Sequence, residues 1–431
     1  MCKYKKGFWV IGLLVGGNCL FAEAPDTAWT RRFDNFIGAA VKQTQDGGYI
    51  ISGGDRLLKT DSLGNKEWLK VIEFGGYSRS IWQTQDGGYV VTGGGNFQDS
   101  SILLIKTDTQ GDVEWNKTFE ENSFWGGLCT QQTQDGGYII TGDKCNEDSL
   151  VLIKTDSAGN KAWEKSFSRD NAGTSVGCWV QQTQDKGYII TGRIYFDSSA
   201  FELWLIKTDS TGNKEWDRTF GIGVGECVQQ TQDKGFIISG ACGGISLIKT
   251  DSTGNKEWDK TFGDGGCDAG YSVQQVADGG YFIVGCRNTC YGIWVIRTDA
   301  AGDTLWTKIM RSDSSTNSWE IGYSGQPTSD GGYIVIGESS PTRTQSGFPE
   351  NLGSWLIKIE PETGIEDRQN TQDVSIQVYD AAGRIVETLV SEKKDPGNYN
   401  IDFNFNKRKG IYFVELVVGN YKETKKLILM K

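Results

Sequence analysis

The sequence predicts an all-β protein: a seven-bladed β-propeller closed by its N-terminal strand and followed by a small β-sandwich domain. Three observations carry that reading. An Asp-Gly-Gly-Tyr tetrad or a close variant recurs seven times, opening at Asp46, Asp86, Asp135, Asp185, Asp233, Asp278 and Asp330. A second phrase, Ile-Lys-Thr-Asp or a relative, follows each one, around Asp61, Asp108, Asp156, Asp209, Asp251, Asp299 and, degenerate, Glu360. A tryptophan comes next in six copies, at Trp68, Trp115, Trp163, Trp216, Trp258 and Trp306. A fixed period of about forty to fifty residues marks a stacked or closed repeat array.

Each copy reads as four antiparallel strands. In the copy from Val180 to Phe220, Val180-Gln181-Gln182-Thr183 is a strand and Asp185-Lys186-Gly187 a tight turn. The β-branched and aromatic run Tyr188-Ile189-Ile190-Thr191 is the second strand, since such residues fit a pleated surface. Leu203 to Thr208 is the third, and Asp209-Ser210-Thr211-Gly212-Asn213 a second turn in which Asp bonds local backbone. Lys214 to Phe220 alternates polar and aromatic residues, as an edge strand does. Four such strands make one propeller blade.

The seventh copy, from Gly325 to Ile359, lacks its tryptophan strand. Ala28-Trp29-Thr30-Arg31-Arg32-Phe33 has the spacing of that strand and stands before the first tetrad. Joining the two fragments removes two open sheet edges, which otherwise invite aggregation.

The ends differ from the repeats. Met1 to Lys6 is basic, Gly7 to Phe21 mostly apolar, and Ala22 small. That pattern reads as a signal peptide over 1–22, too short for a stable membrane span; no other segment is apolar enough to cross a bilayer. The propeller then occupies 23–362, a linker 363–372 and a separate domain 373–431. The chain carries a formal net charge of −11. Nucleic acid is therefore an unsuitable partner, because phosphate binding requires a basic surface.

Several cysteines lie in the predicted propeller. Cys129 and Cys145 flank one hairpin, and Cys227 and Cys242 flank another at nearly the same separation. In an exported protein, disulfides across both hairpins are expected, with Cys267 bonded to Cys290 or Cys286 as a third candidate.

From Asp373 the repeats stop and alternating strands continue to Lys431. Tyr379-Asp380-Ala381-Ala382-Gly383-Arg384, Gly410-Ile411-Tyr412-Phe413 and the terminal Lys425-Lys426-Leu427-Ile428-Leu429 together resemble the type A C-terminal sorting domain of the type IX secretion system. The resemblance is to a shortened form, in which Thr363 to Arg368 runs almost directly into Val374. It implies export across the outer membrane, the export machinery as a partner, and a secreted or surface-attached product.

The chain contains no histidine, which removes His-dependent bases, Ser-His-Asp triads and His-ligated metals. The Asp-Ser-Thr-Gly-Asn turns lack the spacing of a calcium loop and read as hairpin turns. With the tryptophan that follows, as Gly212 to Trp216, they resemble the tryptophan-docking repeat of quinoprotein-type propellers. That resemblance implies that Trp29, Trp68, Trp115, Trp163, Trp216, Trp258 and Trp306 wedge between blades. Enzymatic quinoproteins hold a quinone, often against adjacent cysteines; no adjacent pair exists here, so no cofactor and no metal is expected.

Turns between first and second and between third and fourth strands are nearly uniform and share one rim. Connections on the other rim vary and carry Trp125, Trp179, Tyr195, Phe196 and Trp319. Varied loops on a rigid scaffold are where binding usually resides. The expected function is a non-catalytic binding or adhesion module for a glycan or protein ligand. The alternatives are a glycan-active enzyme working through carboxylates, and a structural envelope protein.

Overall fold

The computed structural model describes residues 9–15 and 24–429, apart from 73–75, 96–100, 122–126, 145–147, 170–172, 196–200, 242, 264–267, 288–291, 312–318, 341, 344–348, 351–352, 363–371, 395–396, 404–409 and 419–420. Every regular element described is a strand. The chain divides into two compact units, one of Ala24–Pro361 and one of Met1–Glu23 with Glu362–Lys431.

In the larger unit, seven four-stranded antiparallel sheets follow one another among the described residues. The first holds Ala40–Gln43, Tyr49–Gly53, Arg56–Thr60 and Lys66–Val71 in sequence order. The next five repeat that meander, with inner strands Gly76–Gln83, Gly127–Gln132, Ser175–Gln182, Val224–Gln230 and Ala269–Gln275. The seventh combines Trp319–Pro327, Tyr333–Ser340 and Gly353–Ile359 with Thr27–Asp34 from the other end of the unit. There Trp29 lies opposite Lys358 and Phe33 opposite Ser354.

The repeated words have physical duties. Asp46 Oδ1 accepts from Thr44 Oγ1 at 2.5 Å and from the Gly48 amide at 2.9 Å, which fixes the first turn. Its other oxygen meets Lys59 Nζ at 2.9 Å, so the lysine of the second phrase reaches back to the aspartate of the first. The pairs Lys106–Asp86, Lys154–Asp135, Lys207–Asp185, Lys249–Asp233 and Lys358–Asp330 repeat this contact. Arg297 replaces lysine opposite Asp278. A Cβ on Gly48 would lie 2.2 Å from the Thr60 carbonyl oxygen and 2.6 Å from Lys59 Nζ. The second glycine of the tetrad therefore makes room for the ion pair.

Neighbouring sheets are joined by the aromatics. Trp68 of the first sheet meets Tyr89 of the second edge-on, with ring centroids 6.0 Å apart. Its ring also covers Gly111, where a Cβ would come within 2.7 Å. Trp29 makes the same contact with Tyr49 at 5.9 Å and covers Gly64. Trp306 packs on Tyr333 at 5.9 Å. Buried apolar clusters lie between successive sheets, and one unites Val41, Tyr49 and Leu58 of the first with Ile334, Ile336 and Leu356 of the seventh.

In the smaller unit a four-stranded antiparallel sheet has the order Ile385–Lys394, Gln372–Asp380, Gly410–Val418, Tyr421–Leu429. Gly397–Phe403 pairs instead with Trp9–Val15. Among the described residues, no helix is long and apolar enough to cross a membrane.

Two of the expected disulfides meet a contrary observation. Cys129 and Cys227 are free, buried thiols. Cys129 stands across from Thr141, and Cys227 across from Ser239. The register thus places each thiol opposite a residue nearer the turn than its expected partner. Cys129 Sγ contacts the Val180 carbonyl at 3.6 Å, and Cys227 Sγ the Val273 carbonyl at 3.7 Å, both on the following sheet. Cys145, Cys242, Cys267 and Cys290 lie outside the described residues.

Candidate functional site: a cavity mouth lined by bulged residues

In six of the seven sheets the innermost strand breaks its ladder at one place. The register with the second strand skips a residue between Ser78 and Ser80, between Gly127 and Cys129, and between Gly177 and Trp179. It skips again between Gly225 and Cys227, between Gly270 and Ser272, and between Gly322 and Ser324. A β-bulge adds one unpaired residue and re-aims its side chain. The residues skipped are Arg79, Leu128, Cys178, Glu226, Tyr271 and Tyr323. In the first sheet Ala39 donates its amide to Ser52, which also faces Ala40.

All seven of these residues line one cavity of about 510 Å³. They sit within the inner strands, or, for Ala39, just before one, away from the uniform Asp-Gly-Gly turns. Arg193, Trp179, Tyr77, Lys42 and Glu338 complete the wall. A second cavity of about 580 Å³ lies between the first and second sheets, lined by Asp46, Lys59, Trp68 and Tyr89. Those residues belong to the repeat itself and serve its turns and docking, so we place the site at the varied mouth.

The mouth is electrostatically mixed. The Arg79 side chain is exposed on the cavity wall, yet the protein around it draws its guanidinium below its ordinary range, opposed by Cys178 and Glu226. Burial pushes the Glu226 carboxyl up, while Arg193 and Arg79 pull it back. Burial also raises Glu338, against hydrogen bonds from Trp319 and Tyr323; the Trp319 indole donates to Glu338 Oε1 at 2.8 Å. Deeper in, burial lowers the Lys42 ammonium, which lies 4.1 Å from the Trp82 ring centroid. Arginine stays charged at neutral pH, so two guanidiniums act on Glu226, in a cavity whose two carboxyls are both inclined to take up protons.

Of the residues expected at the rim, Trp179, Trp319 and Tyr195 are among the described ones. Trp179 lines the cavity and also packs into the clusters on both sides of its sheet. Trp319 stands behind Glu338. Tyr195 lies under the Arg193 guanidinium at 5.6 Å and meets Phe201 edge-on. Trp125 and Phe196 lie outside the described residues. Arg79, Arg193, Glu226, Tyr271, Tyr323 and Glu338 were not anticipated. A signal existed for most of them: aligned copies read Ala39, Arg79, Leu128, Cys178, Glu226, Tyr271 and Tyr323 at one otherwise regular strand position. Among the described residues, no cluster of three or more metal-ligating side chains occurs.

Comparisons with known proteins address the two units separately. Residues 357–430 match the secretion system C-terminal sorting domain, so the tail carries a type IX sorting domain. The match begins at Ile357 and takes in the stretch before Asp373. The WD40 β-propeller domain of Doa1 has a TM-score of 0.52 at 11% identity, covering 78% of this chain and 97% of that one. The Neurospora crassa Pan2 WD40 domain has a TM-score of 0.50 at 9% identity, covering 76% and 90%. At such identities the likeness speaks for a β-propeller fold alone. No curated protein matches the chain by sequence. The sorting domain implies export to the cell surface or beyond.

Proposed function

We propose that this is an exported, secreted or outer-membrane-attached, seven-bladed propeller that acts as a non-catalytic binding or adhesion module. Its site is the cavity mouth on the varied rim. The observation that carries the proposal is the row of bulges. One position per sheet is turned into a shared cavity, and that position takes six residue types in seven copies. A scaffold that needed only to stand would have no reason to diversify it.

Closure by Thr27–Asp34 belongs to the same proposal. It is supported by the pairing with Gly353–Ile359 and by the amide of Ser329, which donates to Gln43 Oε1 at 2.9 Å across the ends. The equivalent bond joins Gln45 to Gln83 within the array. The leader over 1–22 would be removed during export, and the tail would deliver the ring.

Glycan and peptide arrays probed with the chain from Glu23 onward test the proposal. Saturable binding is expected, and Tyr271→Ala or Tyr323→Ala should weaken it at least about tenfold, as the loss of an aromatic platform does. Binding unaffected by either change would contradict it. A second reading rests on Glu226 and Glu338, two inward carboxyls raised by burial in one cavity. Raised carboxyls are the equipment of a glycan-cleaving acid and base. Release of new reducing ends from a bound glycan, abolished by Glu338→Gln, would favour that reading.

A further inference from the structure

We infer that the cavity mouth takes an acidic saccharide, a sugar ring bearing a carboxylate, held by Arg79 and Arg193 over an aromatic floor. The inference rests on the binding reading above and names its ligand class. Three features lead to it.

The first is the placement of the cations. The chain as a whole is acidic, with a formal net charge of −11. Even so, Arg79, Arg193 and Lys42 all line the same cavity. Arg79 arrives there through a bulge in the second sheet, and Arg193 stands on the second strand of the fourth, opposite Val176. Guanidinium groups in a walled cleft recognise carboxylates with paired, charge-assisted hydrogen bonds, and a recess concentrates the field of its cations.

The second is the mixture of other groups. Tyr271 and Tyr323 pack against each other with ring centroids 5.7 Å apart, and Trp179 faces the same space. Such rings offer flat apolar surfaces of the kind that sugar C–H faces cover. Glu226 and Glu338 supply acceptors. A saccharide brings many hydroxyl donors to meet them, whereas the C-terminus of a peptide brings one carboxylate and few donors. The acidic sugar fits both the cations and the acceptors.

The third is size. A cavity of about 510 Å³ falls within the range of small-ligand sites, and it opens where the connections between copies vary.

The test is calorimetric titration of the chain from Glu23 onward with galacturonate di- and trisaccharides and with the neutral galactose oligomers of equal length. The uronates should bind at least about tenfold more tightly, with affinity falling as salt is raised. Arg79→Gln and Arg193→Gln should each lose about tenfold or more, the effect of one charge-assisted bond. Ala39→Glu, which adds a negative charge at the equivalent position of the first sheet, should weaken uronate binding in a chain that keeps both arginines. Lys186→Gly on the opposite rim should change nothing, and thermal midpoints close to wild type keep the comparison valid. Equal affinity for neutral and acidic sugars would overturn the acidic class while leaving the binding reading in place. Arginine-dependent binding of peptides with free C-termini, without uronate binding, would overturn the saccharide class. Failure of every glycan and peptide on the arrays would remove both readings.

Discussion

If the N-terminal strand completes the seventh sheet as a working blade, Trp29→Ala should cost about as much as Trp216→Ala in the middle of the array. The two rings have nearly the same surroundings. Trp29 meets Tyr49 at 5.9 Å and 61°, and Trp216 meets Phe236 at 5.8 Å and 60°. A Cβ on Gly64 would lie 2.5 Å from the Trp29 ring, and one on Gly254 would lie 2.6 Å from the Trp216 ring. Both tryptophans are half-buried. Half of a tryptophan's surface is about 100–125 Å², which at about 25 cal/mol/Å² comes to about 2.5–3 kcal/mol. The edge-on pair adds about 1 kcal/mol, so each truncation should cost about 3–4 kcal/mol. Urea unfolding followed by circular dichroism, with both variants and wild type run together, gives the comparison. A Trp29→Ala midpoint equal to wild type, beside a lowered Trp216→Ala midpoint, would refute the closing role of the first strand.

Other consequences follow from the repeat and its ends. Burial pushes the Asp46 and Asp135 carboxyls up, but bonds from threonine, lysine and glycine outweigh it and hold both at about 2, below the ordinary 3.8. Their folded values are depressed, so their contribution is complete above about pH 4 and is lost as pH falls through about 2; thermal melts across that window should show it, and Lys59→Met should flatten the loss. Gly187→Ala should destabilise by about 2–3 kcal/mol through overpacking, because its Cβ would lie 2.2 Å from the Thr208 carbonyl oxygen. Lys186→Gly should be neutral or slightly stabilising, since Lys186 is held at φ 69°; a large loss of stability there would contradict the turn geometry. Burial raises the Cys129 thiol to about 11 and the Cys227 thiol to about 12, so maleimide should label both only after denaturation. Recovery of a Cys129–Cys145 or Cys227–Cys242 peptide on non-reducing mapping would contradict their free state.

Much of the fold was legible because the repeat is spelled in residues with narrow conformational uses. Trp29 could be matched to Trp216 across the whole chain by spacing alone, and Asp-Gly-Gly marks a turn whatever surrounds it. The link between the two repeated phrases was less visible. Lys59 and Asp46 each look like an exposed turn charge, yet the lysine is 3% exposed and spans from the third strand to the first turn. The cysteines misled because equal spacing around a hairpin says nothing about register; Cys129 stands opposite Thr141. The site was hardest to read. Strict alternation would give Arg79 the opposite face from Ser78 and Ser80, and only the bulge turns that position into the cavity. Reading down the copies at that single position would have found it, whereas reading along each strand could not.

The central claim is that the varied bulge positions form a ligand site, and one measurement addresses it most directly. The affinity of a ligand found on the arrays is determined for Arg79→Gln, Tyr271→Ala and Tyr323→Ala at the mouth, and for Lys186→Gly and Lys234→Gly at the uniform rim. The account predicts losses of about tenfold or more for the first three and wild-type affinity for the last two. Loss confined to the uniform-rim variants, with the mouth variants binding normally, would contradict it.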